Sequence, residues 1–167
     1  MSADICEVCL KSDMLCPACQ KLVDEGGISQ LELSVSRFLH STREENPAAK
    51  DIKIVELIES DGIVTIITRK GDAGKIIGKS GKFIRRLSEK LNKRIKVLEQ
   101  GADIKSTIQG AILPLALLGI NIVYTPAGEK IKVRISASQL RHSPIRLEEI
   151  KKTLKSVLKK DIEIVKE

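Results

Sequence analysis

Tryptophan is missing from this chain, and other aromatic side chains are scarce: Phe38, Phe83 and Tyr124 are the full set, 2% of 167 residues. That shortage disfavours modules that read bases by stacking them on aromatic platforms, such as RRM sheets and OB-folds. Long apolar runs are missing as well. A membrane-crossing helix needs ~18 or more apolar residues, and the nearest run, Ala111 to Leu118, is short and contains Pro114. Met1-Ser2-Ala3-Asp4 has neither the basic nor the apolar region of a secretory leader. The expectation is a cytoplasmic chain with no membrane partner. Catalytic arrangements are also lacking. His40 and His142 have no Cys or Ser partner at a telling spacing, and Asp24-Glu25 and Glu44-Glu45 fall in breaks or at helix ends, where charges are solvated. The chain reads as a binding module and not an enzyme.

What is present begins with charge. Lys and Arg total 29 against 22 Asp and Glu, for a net charge of +7 and a pI near 9.3. A polyanion is the partner such a balance suits. The distribution is uneven. Residues 1–49 hold four Lys/Arg and eight Asp/Glu, whereas Arg69 to Lys96 hold eleven Lys/Arg and two acids.

All four cysteines fall within "CEVCLKSDMLCPAC", as Cys6, Cys9, Cys16 and Cys19. Two C-x2-C pairs supply four thiolates, the number that closes a tetrahedral structural zinc site. The six-residue connector is short, which predicts a compact knuckle. A disulfide does not suit a cytoplasmic chain, a redox motif expects a βαβ setting, and the spacing differs from the common iron–sulfur patterns. One structural zinc ion is the expected cofactor.

Beyond the knuckle the chain repeats. "SQLELSVSRFLHSTREE" has helical spacing at Leu31, Val35, Phe38 and Leu39, with Ser29 as N-cap and Glu32 three residues on. Strands are expected over Ile52–Ile58 and Ile63–Thr68 around Ser60-Asp61-Gly62. A short helix, a helix from about Lys82 to Lys93 and a strand at Ile95–Leu98 follow. After a connector at Gln100-Gly101-Ala102 the order starts again. A helix is expected from Ile104 to Leu117, strands over Ile120–Thr125 and Ile131–Ser136 around Pro126-Ala127-Gly128, a long helix in "RLEEIKKTLKSVLKK" and a strand at Ile162–Val165. A slide of 67 residues lays Phe83 on Ile150, Leu87 on Leu154, Leu91 on Leu158, Ile95 on Ile162 and Val97 on Ile164. The expected fold class is α+β, with α-β-β-α-α-β twice over.

Between the two helices of the first repeat lies "AGKIIGKSGKFI", residues 73 to 84. With Ala73 in place of the first glycine, it fits a loose Walker A loop. A Walker A serine, however, sits inside the helix that the loop begins, and the loop is fed by a strand of a parallel sheet. Here Gly81 follows Ser80 directly and the preceding strands form a hairpin, so no nucleoside triphosphate is expected. The alternative is the Gly-x-x-Gly turn of a KH domain, which clamps about four nucleotides of single-stranded nucleic acid. Gly78 and Gly81 let the backbone approach a phosphodiester, while Lys79 and Ser80 offer a cation and a hydroxyl at the tip. The helix N-terminus beyond them adds free N–H groups. Lys82, Arg86 and Lys90 form a stripe one turn apart, widened by Lys75 and Arg85, and Ile76, Ile77 and Ile84 are placed to form an apolar floor for bases.

With these residues in hand, the chain resembles the archaeal NusA-like RNA-binding proteins, in which two type II KH domains are fused in tandem, here preceded by the four-cysteine segment. The division expected is 1–28 for the zinc segment, 29–100 for a first KH domain and 101–167 for a second. In the second, Ile145-Arg146-Leu147-Glu148 stands where the glycine loop stands in the first, preceded by His142, Ser143 and Pro144. With no glycine pair, and a glutamate that repels phosphate, that copy is expected to be degenerate. Its Lys151, Lys152, Lys155, Lys159 and Lys160 either extend a phosphate track or form a solvated face. The resemblance implies single-stranded RNA as partner and a role in transcription elongation or termination beside RNA polymerase. The alternatives are a ribosome-associated or ribosome-assembly factor bound to a ribosomal subunit, and an adaptor working through the zinc segment.

Overall fold

The computed structural model describes residues 5–60, 62–101, 103–126, 128–143 and 145–167. Met1–Asp4, Asp61, Ala102, Ala127 and Pro144 lie outside the described residues. The expected leader-free start, the connector, both hairpin turns and the proline before the second loop fall wholly or partly on them. The chain divides into two compact units, Met1–Val97 and Leu98–Glu167. It is a mixed α+β protein with two three-stranded sheets. Among the described residues no helix is long and apolar enough to cross a membrane.

The first unit opens with two short helices, α1 (Glu7–Lys11) and α2 (Pro17–Asp24), each beginning directly after a cysteine. Cys6 and Cys16 are the N-caps, so Cys9 and Cys19 come at the third helical position, on the same side one turn on. Pro17 suits the first helical position, whose N–H has no intrahelical partner to lose. Helix α3 (Gln30–Ser41) starts as its sequence requires. Ser29 Oγ accepts the Glu32 N–H at 3.1 Å and Glu32 Oε2 accepts the Ser29 N–H at 2.7 Å, a reciprocal cap. A 3-10 turn, Pro47–Asp51, leads into β1 (Ile54–Ser60) and β2 (Ile63–Thr68), which pair antiparallel. Helices α4 (Ala73–Ile77) and α5 (Lys82–Leu91) and strand β3 (Arg94–Glu99) complete the set, with sheet order β1-β2-β3. The core is built from Val35 and Phe38 of α3, Val64 and Ile66 of β2, Ile76 of α4 and Leu87 of α5.

In the second unit α6 (Ile104–Ile112) is capped by Asp103, which accepts the Ser106 N–H at 2.9 Å. The helix expected to reach Leu117 ends five residues earlier. Pro114 has no N–H to continue the ladder, and Leu117 already belongs to a strand. Strands β4 (Leu117–Thr125) and β5 (Gly128–Ile135) pair antiparallel, α7 (Ala137–Arg141) and α8 (Leu147–Leu158) follow, and β6 (Asp161–Lys166) pairs parallel to β5. Order β4-β5-β6 leaves β4 at an edge, with Leu118, Ile122, Val123 and Tyr124 exposed. Ile131, Val133 and Ile135 of β5 pack inward, as do Ile150 and Leu154 of α8.

The repeat holds in the backbone. Strands β3 and β6 are offset by 67 residues at both ends, and helices α5 and α8 both end on a left-handed residue, Asn92 (φ 49°) and Lys159 (φ 53°), at that same offset. Leu87 and Leu154, also 67 apart, are both fully buried. Truncating either to alanine removes about 2–5 kcal/mol.

Candidate nucleic-acid interface and metal centre

Between α4 and α5 the backbone makes three departures from ordinary helix geometry in four residues. Gly78 has φ 73° and ψ 173°, Ser80 has φ 55° and ψ 25°, and Gly81 has φ 74° and ψ 17°. Gly78 is required twice over. Its φ favours glycine, and a Cβ built on it would lie 2.1 Å from Cδ2 of the Phe83 ring. Ser80 carries a left-handed conformation without being glycine, and Arg85 braces it: Arg85 Nη2 donates to the Ser80 carbonyl at 2.7 Å. Lys79, Ser80, Lys82 and Arg85 line an open groove of about 500 Å³.

The other expected contact residues divide by what they touch. Ile76 is 2% exposed and belongs to the core, so it supports the loop from below and cannot meet a base. The expected apolar floor is correspondingly narrower: Ile77 is exposed and Ile84 half-buried. Lys75 Nζ sits 2.6 Å from Asp72 Oδ1, and Asp72 Oδ2 accepts the Lys53 N–H at 3.2 Å. The Lys75 ammonium holds the Asp72 carboxyl below the usual carboxylate range. The Lys82–Arg86–Lys90 stripe is not uniformly free. Glu45 accepts from Lys82 Nζ at 3.1 Å and from Arg86 Nη1 at 3.0 Å on each oxygen. The Lys82 hydrogen bond, then Arg86, holds the Glu45 carboxyl below its ordinary value. Among the described residues Lys79 and Lys90 have no ion-pair partner.

Glu45 is the residue that sequence reasoning missed. It lies 37 positions before Lys82, beyond the reach of any local spacing rule. The one hint is the excess of acid before residue 50 facing an excess of base after residue 68.

In the second unit, Ile145 is buried and Arg146 stands at the N-cap position of α8 without a side-chain capping bond, which places Glu148 in the first helical turn. Lys155 pairs with Asp161 at 3.2 Å and Lys160 pairs with Glu129. His142 Nδ1 lies 3.0 Å from the Ser138 carbonyl.

The four cysteines converge. Their sulfurs all lie within 4.8 Å of one another, with Cys6 at 3.3 Å from Cys9, 4.0 Å from Cys16 and 3.8 Å from Cys19, and the set could hold a metal ion. The Cys16 thiol is drawn down to about 7, first by the Cys19 backbone N–H and then by the Cys19 thiol. Cys9 Sγ accepts the Cys16 N–H at 3.1 Å, which pulls its thiol down, yet the neighbouring Cys6 sulfur and burial outweigh this and push it up to about 12. One anion within the cluster thus discourages the next, a repulsion that a cation would relieve. Arg37 of α3 donates from Nε to the Cys9 carbonyl at 3.0 Å, tying α1 to α3.

No family model matches the chain. Over 67 residues it is 28% identical to a probable transcription termination protein NusA of Methanocaldococcus jannaschii, a stretch that covers 40% of this chain and 37% of that one. The protein of the same description from Methanococcus vannielii is 27% identical over 64 residues, 38% of this chain and 37% of that one. The chain thus spans little more than a third of the length of these relatives. Among solved structures, the crystal structure of APE1850 superposes with a TM-score of 0.52 over 78% of this chain and 96% of that one, at 16% identity. That likeness is one of fold.

Proposed function

We propose that this chain is a single-stranded RNA-binding protein that grips the phosphodiester backbone at the Gly78–Gly81 loop. It carries two type II KH domains in tandem, over 29–100 and 101–167, behind a zinc segment over 1–28. The observation that carries the reading is the loop itself. Two successive left-handed residues, Ser80 and Gly81, follow a glycine that leaves no room for a side chain, and together they open a groove lined by Lys79, Lys82 and Arg85 at the start of α5. The cations gathered there suit phosphate, and the aromatic-poor chain suits a backbone grip over base stacking. A nucleoside triphosphate is a poor fit, because Ser80 has left-handed geometry and does not sit inside a helix as a magnesium-binding P-loop serine does.

The partial likeness to proteins described as probable transcription termination protein NusA supports a place in transcription elongation or termination. A zinc ion suits the cysteines: four thiolates at ~2.3 Å in a tetrahedron put the sulfurs ~3.8 Å apart, close to the 4.0 Å and 3.8 Å that separate Cys6 from Cys16 and Cys19. Such an ion would have no open position and would hold α1 against α2. The protein is a binding module, with no catalytic role assigned to any residue.

The test is fluorescence anisotropy with a random single-stranded RNA, comparing wild type with the double variant Lys79→Asp, Ser80→Asp, each checked for folding by circular dichroism. The variant is expected to lose binding while staying folded. Wild-type affinity should fall with salt by ~0.7 in log–log slope per phosphate contacted. A folded variant that binds as tightly as wild type sinks the reading.

A further inference from the structure

We infer that Lys82 and Arg86 form a second phosphate position beside the glycine loop, and that the Glu45 carboxylate occupies it when RNA is absent. The inference rests on the RNA reading above and deepens it. A carboxylate is the nearest protein mimic of a phosphate: planar where phosphate is tetrahedral, but anionic, and built to accept from several N–H donors at once. Glu45 does this. Both of its oxygens accept from Arg86 Nη1 at 3.0 Å, and Oε2 also accepts from Lys82 Nζ at 3.1 Å.

Two further observations identify the position as part of an RNA track and not a structural clasp. Lys82 lines the groove at the loop as well as touching Glu45, so the two positions share a residue and are continuous. Arg86 lies one helical turn, roughly 6 Å, further along α5, and Lys90, which has no ion-pair partner among the described residues, lies a turn beyond that. The clasp is also open to solvent. The side chains of Lys82, Arg86 and Glu45 are 62%, 41% and 46% exposed, and an ion pair so exposed holds weakly. An incoming phosphate, which brings more charge and more acceptor oxygens, displaces it. Glu45 therefore sets how strongly the track attracts RNA: it lowers affinity without blocking the loop.

Glu45→Gln keeps the size and an acceptor oxygen but removes the charge. The experiment measures anisotropy with the same random single-stranded RNA across a salt series for wild type, Glu45→Gln, Glu44→Gln and the Lys79→Asp, Ser80→Asp double variant. Glu44 is exposed and has no pair among the described residues, so its variant removes an equal charge from the same segment without freeing Lys82 or Arg86. Glu45→Gln is expected to bind several-fold tighter at low salt, with a log–log slope steeper by ~0.7, about one phosphate, while Glu44→Gln stays near wild type. Equal tightening by both glutamine variants overturns the inference, because the gain is then general charge. No change or a loss in Glu45→Gln, with the loop double variant still unable to bind, also overturns it and leaves the RNA reading standing. Binding by the loop variant at wild-type strength overturns both. Thermal melts of Glu45→Gln accompany the titrations. A second variant, Glu45→Ala, must tighten binding in the same direction, since the effect comes from lost charge and not from the amide.

Discussion

The Phe83 ring fills the space where a Gly78 side chain would stand, with 2.1 Å between ring and ideal Cβ. The loop and the start of α5 are thus fitted to each other, and one substitution tests the fit. Gly78→Ala meets both an overpacked contact and a disfavoured φ, and is expected to cost about 1–3 kcal/mol in urea denaturation together with RNA affinity. Adding Phe83→Leu should recover part of the stability, because the methyl then has somewhere to go. Full additivity of the two changes would show that the ring is not what excludes the side chain.

Asp72 gives the chain a pH dependence of known sign. Its carboxyl is depressed below its unfolded value, chiefly by Lys75. The stabilisation is therefore fully present above the unfolded carboxyl pKa, about 4, and disappears as pH falls through the lower folded value. Asp72→Asn should cost about 1–2 kcal/mol at pH 7. In acid the variant and wild type should converge, which urea melts at both pH values will read.

Removing one thiol tests the metal centre. Cys16→Ser should lower bound zinc from one per chain to well below one, measured by chelator titration on protein prepared with zinc. Because Arg37 ties the Cys9 carbonyl to α3, the loss should loosen more than residues 1–28: amide exchange should quicken in α3 as well. The unit Leu98–Glu167, with its own sheet and core, should keep its protection.

The lysines of α8 and its C-terminal end separate a track from a solvated face. Lys155→Ala and Lys160→Ala remove cations already paired to Asp161 and Glu129. Each is expected to change RNA affinity by less than about twofold, whereas Lys79→Ala, which removes a cation with no partner among the described residues, should lower both affinity and salt slope.

Much of this architecture could be read from the chain because its signals are local or repeated. Ser29 and Glu32 announce the start of α3 three residues apart, and the apolar positions offset by 67 residues anticipate β3 and β6 to within one residue at each end. Three features resisted for identifiable reasons. Helix α1 has five residues, too few for a period to show. The run Ala111–Leu118 is apolar throughout, so nothing in it marked the change from helix to strand except Pro114. The Glu45 clasp joins residues far apart in sequence, and a glutamate in a chain break carries no mark of its partner. At the loop, the glycines and basic residues were legible, but Ile76 was not: an isoleucine beside a turn reads the same whether it faces solvent or core.

The scarcity of aromatics and the exposure of edge strand β4 combine into an optical property. Tyr124, 76% exposed on β4, is the single tyrosine in a chain without tryptophan, so nearly all intrinsic emission comes from one side chain in the second unit. A partner that settles along that edge and covers the ring would change the intensity of this emission, and no label is needed to see it. The protein thus carries a native optical reporter on the repeat that lacks the glycine loop.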